Sequence, residues 1–224
     1  MAPHTSPEHH PAFEEYCETI FELEEDGLKV IQARIAERLQ ISRPAVSEMV
    51  RRLSNEGYIE KQQGQLKLTK TGRDVANRVV RRHRLAERFL TDVLKLSWSE
   101  AHHEAGKWEH IISDSVESAM SRLLGEPTTC PHGNPIPGSG YVEPDTEVLS
   151  TVEAGEAVTI SRIPEELEFV PGMLEFLESH RLLPGTVATI KSVAPNGPII
   201  LDVDGSVVEV DGRTADRVLV MTDD

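Results

Sequence analysis

Residues 30–53 read VIQARIAERLQISRPAVSEMVRRL, and their pattern predicts the fold of the N-terminal part of the chain. Apolar residues recur at helical spacing in two segments, Val30–Leu39 and Arg43–Leu53, with a short break between them. Ser42 is a suitable N-cap for the second segment, and Pro44 falls in its first turn, where a missing N–H has no cost. Two short helices joined by a tight turn predict a helix-turn-helix.

A hairpin is predicted directly after the second helix. Asn55-Glu56-Gly57 ends the helix, and two strand-like runs follow at Tyr58–Lys61 and Gln65–Thr69. The turn Gln62-Gln63-Gly64 between them contains the glycine that such a connection favours. Helix, turn, helix and hairpin in this order predict a winged helix-turn-helix with the hairpin as its wing.

The second helix of such a domain enters the major groove of DNA, and its N-terminal residues meet base edges. Arg43 is suited to guanine, and Pro44 and Ala45 are suited to thymine methyl groups. The candidate base-contacting residues are Ser42, Arg43, Pro44, Ala45, Ser47 and Glu48. The candidate phosphate-contacting residues are Arg34, Arg38, Arg51, Arg52, Lys61 and Lys67. A winged helix that contacts proteins instead of DNA is the alternative.

The charge distribution favours a phosphate-binding surface although the chain as a whole is acidic. Its 224 residues carry a net charge of −15. Residues 28–95 hold sixteen Lys plus Arg against seven Asp plus Glu, or +9, which leaves −24 on the remainder. A basic segment attracts the nucleic-acid backbone, whereas an ordinary solvated face is the alternative.

Length and composition predict two domains, or one domain with an appendage. No long apolar run is present, so no membrane span is expected. The N-terminus lacks the apolar core of a signal peptide, and residues 1–11 are expected to form a flexible tail. Cys17 and Cys130 fit no disulfide framework, which favours the cytoplasm.

Residues 102–110, His-His-Glu-Ala-Gly-Lys-Trp-Glu-His, form the densest run of potential metal ligands. If they are helical, one face presents His102, Glu109 and His110, with a gap at Gly106. Imidazole and carboxylate together accept manganese, iron, cobalt, nickel or zinc. The run therefore predicts a site for a divalent transition metal, and a solvated acidic helix with scattered histidines is the alternative.

Other predicted helices carry further pairs of potential ligands on one face. These helices cover residues 12–26, 70–95 and 111–124. The pairs are Glu15 with Glu18, three apart on the first helix, and His83 with Glu87, four apart on the second. The extensive apolar faces of the helices also predict a dimer interface, as a two-fold repressor needs for a palindromic operator.

The chain is expected to loosen after these helices and then to change to strands. Residues 125–140 contain four prolines and four glycines, which predicts a linker. Cys130 and His132 are close enough for a ligand pair, but no partner motif follows, so a turn is favoured there. Beyond it, five short strands and one helix over residues 171–180 predict a small β-barrel. The expected strands are Ala157–Ile163, Thr186–Val193, Pro198–Val203, Ser206–Val210 and Arg217–Met221, with one connecting turn at Pro195-Asn196-Gly197.

Five longer motifs carry a family resemblance. They are ARIAERL at 33–39, SRPAVS at 42–47, RHRLAER at 82–88, EAGKWEHIISD at 104–114 and GNPIPG at 133–138. Nearly the whole chain from about residue 12 resembles the diphtheria-toxin-repressor and manganese-transport-regulator family of metal-activated transcription repressors.

The resemblance implies an α+β chain that is a repressor and not an enzyme. It implies a winged helix-turn-helix over residues 12–74, a helical dimerisation and metal-binding domain over 75–125, a linker over 126–150 and an SH3-like barrel over 151–224. A divalent metal would act as corepressor, and the homodimer would bind a palindromic operator in double-stranded DNA.

The resemblance also implies two metal sites. The ancillary site would use His83, Glu87, His102, Glu165 and Glu168, and the primary site would use Glu15, Glu109 and His110. Gly106 stands where iron sensors of the family have Cys and manganese sensors have Glu, so a further ligand is needed. Candidates are a water, a backbone carbonyl, His103 and Glu18, of which Glu18 is preferred because it matches an acidic ligand of the manganese regulators.

Manganese is the expected metal and iron the second choice. Glu15 stands where iron sensors have Met and manganese sensors have an acidic residue, and hard oxygen ligands favour manganese. A winged-helix regulator that senses an organic ligand independently of metal is the main alternative. A protein-interaction adaptor is another. A zinc hydrolase would need two histidines four apart, whereas His103 and His110 are seven apart.

Overall fold

The computed structural model describes residues 11–194 and 197–222, and the chain divides after Val80 into two compact units. Residues 1–10 of the tail expected over residues 1–11 and the Pro195-Asn196 part of one expected turn lie outside the described residues, whereas Pro11 begins the first helix. Among the residues that the structure describes, no helix is both long and apolar enough to cross a lipid bilayer.

The first unit is the predicted winged helix-turn-helix. Its elements are α1 (Pro11–Glu25), α2 (Gln32–Arg38), α3 (Arg43–Asn55), β1 (Ile59–Gln62) and β2 (Gln65–Leu68). The Ser42 hydroxyl accepts a hydrogen bond from the Ala45 N–H at 3.4 Å, so α3 begins where the sequence predicts. Val46, Val50 and Leu53 are buried on one face of α3, which places the other face at the surface.

The wing is an antiparallel hairpin tied to the start of the next helix. Ile59 pairs with Leu68 and Gln62 pairs with Gln65. The first strand therefore lies one residue later than expected. A Cβ atom on Gly72 would lie 2.0 Å from the Tyr58 carbonyl oxygen, so only glycine allows the helix to approach the hairpin this closely. Helix α4 (Lys70–Arg88) begins here and ends in the second unit, continued by a π-helical turn at Phe89–Val93.

The helical part of the second unit contains α5 (Trp98–Trp108) and α6 (Asp114–Leu123). Ser97 and Glu100 form a reciprocal capping box that starts α5. Helix α5 ends at Trp108, so Glu109 is its C-cap residue and the helix is two residues shorter than the predicted run. Helix α6 begins three residues later than expected because Ser113 caps it by accepting a hydrogen bond from the Val116 N–H.

The C-terminal part of the second unit is one six-stranded antiparallel sheet with the strand order β3-β8-β4-β5-β6-β7. Its strands are β3 (Glu147–Val148), β4 (Ala157–Arg162), β5 (Val187–Val193), β6 (Ile199–Val203), β7 (Ser206–Val210) and β8 (Leu219–Thr222). Its helices are α7 (Glu165–Glu168), α8 (Met173–Ser179) and α9 (Gly212–Ala215). Strands at the five expected places are confirmed, but β3, α7 and α9 were not predicted. The last strand begins two residues late because the turn that closes α9 occupies residues 217 and 218, whose N–H groups donate to the Thr214 carbonyl.

The expected linker differs most from the structure. Residues 130–134 are buried, and the His132 carbonyl accepts a hydrogen bond of 2.8 Å from the Ile163 N–H at the end of β4. Gly133 has a φ of +88°, and a Cβ atom there would lie 2.4 Å from the Ser161 carbonyl oxygen. The turn Cys130–Asn134 therefore packs directly against the sheet, which a flexible linker would not do.

Candidate metal centre

Helices α4 and α5 bring together the first three residues of the predicted ancillary site. His83 and Glu87 lie one turn apart on α4, with 3.2 Å between His83 Nε2 and Glu87 Oε1. His102 on α5 places its Nδ1 atom 3.0 Å from the same carboxylate oxygen and 3.4 Å from His83 Nε2. The i,i+4 spacing seen in the sequence therefore produces adjacent donors that point to a common region.

Helix α7 contributes the two remaining predicted residues. Glu168 Oε2 lies 3.1 Å from His102 Nδ1. Potential ligand atoms of Glu165 lie within 4.8 Å of those of His83 and His102. All five residues of the predicted ancillary site thus belong to one group within the second unit.

The structure adds Cys130 and His132, for which the sequence favoured a simple turn. His132 Nδ1 lies 2.9 Å from Glu168 Oε2 and 3.6 Å from Glu87 Oε1. Cys130, His132 and Glu87 form a further group whose potential ligand atoms lie within 4.8 Å of one another. The turn that the sequence favoured is present, and potential ligand atoms of its two side chains lie beside those of Glu87. Cys and His two apart were the only signal in the sequence.

We call these seven residues the ancillary cluster: His83, Glu87, His102, Cys130, His132, Glu165 and Glu168. All of them except His102 are almost fully buried, and His102 is partly buried. Buried charges of this number are costly unless they are paired or bind an ion.

The donor atoms of the ancillary cluster fit a divalent metal ion. Ligands bound at about 2.1 Å lie about 3.0 to 3.4 Å apart on one ion, depending on its geometry. Several distances in the cluster are close to this range. Within the described part of the chain, neither ring nitrogen of His132 nor Glu168 Oε2 makes a hydrogen bond of good geometry, although two of these atoms are only 2.9 Å apart. Atoms that lie close together without a hydrogen bond between them have the arrangement of ligands around one metal ion.

The carboxylates of the cluster raise the pKa values of its imidazoles. Burial alone would lower the pKa of His102, but its contacts with Glu168 and Glu87 outweigh burial and raise that pKa to about 10. Burial is likewise outweighed at His83 and His132, whose pKa values are raised well above the usual range by neighbouring Glu87, Glu109 and Glu168. At these imidazoles the attraction of the buried carboxylates therefore outweighs the cost of burying the protonated form.

Metal binding is expected to release protons, and metal affinity is expected to rise with pH. An imidazole must be neutral to bind a metal, and the raised pKa values mean that protons occupy these nitrogens at neutral pH. Calorimetric titration with Mn²⁺ in buffers of different ionisation enthalpy measures the protons released. His102→Ala should release fewer protons than the unchanged protein. A heat of binding that is independent of the buffer would contradict the expectation.

The buried side chain of Arg84 donates a hydrogen bond to Glu165. Its guanidinium group is buried and donates to the Pro135 carbonyl at 2.5 Å and to Glu165 Oε2 at 3.2 Å. Burial and the nearby Glu168 charge raise the pKa of Glu165, and the Arg84 charge opposes that rise. Arg84 therefore links the GNPIPG motif to one of the predicted ligands.

The residues of the predicted primary site belong to both units. In the second unit, Glu109 Oε1 lies 3.2 Å from His110 Nε2, and Glu109 Oε2 lies 2.5 Å from His83 Nδ1. Glu15 and Glu18 lie on α1 in the first unit. A Cβ atom on Gly106 would meet no described atom within 4 Å. Completion of the primary site by Glu15 and Glu18 stays a prediction.

The predicted DNA-binding residues lie on the surface of the first unit. Ser42, Arg43, Pro44, Ala45, Ser47 and Glu48 are all exposed around the N-terminal half of α3, as are Arg51, Arg52 and Lys61. Arg34 is half-buried. Arg38 was expected to contact phosphate, and the structure contradicts this. Its side chain is only 7% exposed, and its Nη2 atom lies 3.7 Å from Glu22 Oε2.

Three protein-family profiles match the chain. They are the iron-dependent repressor N-terminal DNA-binding domain over residues 10–65, the iron-dependent repressor metal-binding and dimerisation domain over residues 69–138, and the FeoA domain over residues 148–222. The matched regions cover the winged helix, the helices and the sheet in that order.

Full-length relatives and solved structures agree with these profiles. The iron-dependent repressor IdeR of Mycobacterium tuberculosis is 37% identical over 204 residues, which covers 86% of this chain and 88% of the relative. A manganese-dependent transcriptional repressor in complex with manganese aligns with a TM-score of 0.84 at 30% identity, over 94% of this chain and 99% of the other. The T. acidophilum IdeR aligns with a TM-score of 0.77, also at 30% identity, over 94% and 97%.

A winged helix-turn-helix and a buried cluster of metal-ligand residues in one chain define a metal-dependent DNA-binding regulator. The profiles and the 37% identity show which kind. This chain belongs to the diphtheria-toxin-repressor family of iron- and manganese-dependent transcriptional repressors. It binds divalent metal, carries the dimerisation domain of that family and is not an enzyme.

Proposed function

We propose that the chain is a manganese-activated repressor that controls divalent-metal homeostasis and binds a palindromic operator as a homodimer. The observation that carries the proposal is the ancillary cluster, where carboxylates and imidazoles from α4, α5, α7 and the Cys130–Asn134 turn meet. A site built from parts so distant in sequence requires the folded second unit, so an ion bound there stabilises that fold.

The preference for manganese over iron rests on oxygen ligands. The primary site proposed from the sequence has three carboxylates, Glu15, Glu18 and Glu109, and one imidazole, His110. Carboxylate-rich sites suit hard ions such as Mn²⁺, whereas thiolate ligands suit softer ions. Because Gly106 has no side chain, this chain lacks the thiolate that iron sensors of the family have at this position. Its absence supports manganese as the preferred metal and iron as the second.

The bound metal would supply positive charge that replaces the protons on the imidazoles. The protein residues do the rest of the work in the ancillary cluster. Glu87 holds His83 and His102 in position through its Oε1 atom, and Glu168 contacts His102 and His132 through its Oε2 atom. If the metal-bound form has the higher operator affinity, the operator must raise metal affinity by the same factor, as expected of a corepressor.

Operator recognition is proposed to use the exposed half of α3. Ser42, Arg43, Pro44, Ala45, Ser47 and Glu48 would face the base edges, and Arg34, Arg51, Arg52 and Lys61 would contact phosphates. Arg52 also lies with its guanidinium carbon 5.3 Å from the centre of the Phe13 ring. That contact restricts the side chain while leaving it exposed for a phosphate.

Metal titration of DNA binding tests the proposal. Duplexes enriched from a random library in the presence of Mn²⁺ are labelled, and fluorescence anisotropy is recorded with Mn²⁺, Fe²⁺, Co²⁺ and Zn²⁺ and with chelator alone. We expect tight binding with Mn²⁺, weaker activation by Fe²⁺ at equal free concentration, and weak binding in chelator.

Each other result has a clear meaning. Stronger activation by Fe²⁺ would reverse the metal preference. Equal binding in chelator would favour a regulator that responds to an organic ligand. Absence of any salt-dependent DNA affinity would favour a protein-interaction adaptor.

A further inference from the structure

Asn134 is a fully buried polar residue in the GNPIPG motif that lies beside the ancillary cluster. Its side-chain amide group donates to Glu168 Oε1 at 2.7 Å and to the Ile163 carbonyl at 3.0 Å. Its side-chain oxygen accepts from Arg162 Nε at 2.6 Å. The amide thus uses both donors and its acceptor, so a single orientation is selected.

The contact with Asn134 gives the two carboxylate oxygens of Glu168 different partners. Oε1 accepts the hydrogen bond from Asn134, whereas Oε2 lies 3.1 Å from His102 Nδ1 and 2.9 Å from His132 Nδ1. A carboxylate rotates easily about its terminal bond, because that torsion has broad minima. Fixing one oxygen therefore fixes the direction of the other, which is the oxygen that faces the imidazoles.

Backbone contacts of the Cys130–Asn134 turn and of the end of β4 hold Asn134 in place. Its own carbonyl accepts a hydrogen bond from the Cys130 N–H at 2.9 Å, and the preceding Gly133 packs against Ser161. Arg162 closes β4 and is itself buried. Any displacement of Asn134 would therefore have to move the turn or the end of the strand.

We propose that Asn134 is a positioning residue that holds Glu168 Oε2 toward the metal site and thereby sets the metal affinity of the ancillary cluster. The inference rests on the proposed function, because it requires that Glu168 bind a metal. Partners that orient metal ligands typically contribute about 10- to 100-fold to metal affinity. The effect at Asn134 is expected in that range.

Asn134→Asp is the most informative variant. Aspartate has nearly the same shape and still accepts from Arg162, so the fold is expected to survive. It offers no donor to Glu168 and places a second negative charge beside it. Asn134→Ala removes the contact without adding charge and serves as a second variant. Asn77→Asp on α4, which is not a residue of the ancillary cluster, is the control for the same change of residue type.

The experiment is a double-mutant cycle with Glu168→Ala, read by calorimetric titration of the full-length protein with Mn²⁺. The absorption spectrum of the Co²⁺-loaded protein is a second reading. We expect Asn134→Asp and Asn134→Ala each to lower the affinity of one ion by about 10- to 100-fold. In the Glu168→Ala background the same substitutions should have no further effect, because the residue they act through is gone.

The alternative outcomes are distinct. Unchanged Mn²⁺ affinity in both Asn134 variants would overturn the inference while leaving the ancillary site intact. An equal loss in the presence and absence of Glu168 would also overturn it, since Asn134 would then act only on the fold. Unchanged affinity in Glu168→Ala itself would instead show that Glu168 is not a ligand, and the proposed ancillary site would fail with it.

Discussion

Replacement of Glu109 by Gln together with His110 by Ala is expected to abolish metal-dependent operator binding. The two side chains are adjacent, with 3.2 Å between Glu109 Oε1 and His110 Nε2, and are the proposed second-unit ligands of the primary site. Glutamine keeps the volume of Glu109 and can still accept from His83, whereas its charge and ligand strength are lost. Since even partners of ligands contribute about 10- to 100-fold, loss of two direct ligands should weaken metal binding by at least about 100-fold.

The matching control makes the same two types of substitution on α5, at residues that precede Glu109 and His110. His103→Ala with Glu104→Gln alters the same residue types, and His103 is exposed. Anisotropy with the enriched duplex in Mn²⁺ gives the operator affinity, and circular dichroism shows whether both variants remain folded. Undiminished Mn²⁺-dependent binding by the Glu109 and His110 variant would remove these residues from the primary site. A large loss in the control would assign a ligand role to His103.

Glu87→Gln is expected to remove one bound ion per subunit. Glu87 Oε1 is the atom around which the ancillary cluster is arranged, at 3.2 Å from His83, 3.0 Å from His102 and 3.6 Å from His132. Burial would raise the pKa of Glu87, but the charges of His132 and His83 lower it well below its usual value, so the group is an anion before metal arrives. The neutral amide lacks that charge and should lower the affinity of the ancillary ion by about 100-fold or more.

Equilibrium dialysis followed by metal analysis measures this effect directly. Glu104→Gln, which neutralises a glutamate paired with Lys107 at the surface of α5, is the control and should retain full stoichiometry. If Glu87→Gln binds as many Mn²⁺ ions as the unchanged protein, with the same affinities, the ancillary cluster is not a metal site. Operator binding by this variant would also report how strongly the ancillary ion contributes to repression.

Features of the fold that depend on neighbouring residues were predictable from the sequence. Ser42 and Pro44 mark the start of α3 because capping and first-turn preferences act within a few residues. Helical spacing likewise placed His83 and Glu87 on one face of α4, and the structure shows the two side chains 3.2 Å apart. The resemblance to a known family then connected them with His102, Glu165 and Glu168, which lie far apart in sequence.

Features that depend on distant residues and that the family resemblance did not specify were not predictable. The Pro- and Gly-rich composition around residues 130–134 is the same whether that segment is exposed or buried. What buries it is the close approach of Gly133 to Ser161, and nothing near Gly133 in the sequence announces that contact. The positions of Cys130, His132 and Asn134 in the site depend on this packing and on the hydrogen bonds of the turn to Arg162 and Ile163. Arg84 was missed for the same reason, because its partner Glu165 is 81 residues away.

His83 contacts a residue of each predicted metal site, with a different ring nitrogen for each. Its Nδ1 atom lies 2.5 Å from Glu109 and its Nε2 atom lies 3.2 Å from Glu87, so one ring faces a residue of each site. A neutral imidazole carries one N–H, and when one nitrogen binds a metal the other must hold that hydrogen. An ion on Nε2 thus leaves Nδ1–H to donate to Glu109, whereas an ion on Nδ1 turns Nε2–H toward Glu87. Binding of the ancillary ion through Nε2 would therefore fix the hydrogen bond that Glu109, a proposed ligand of the primary site, accepts.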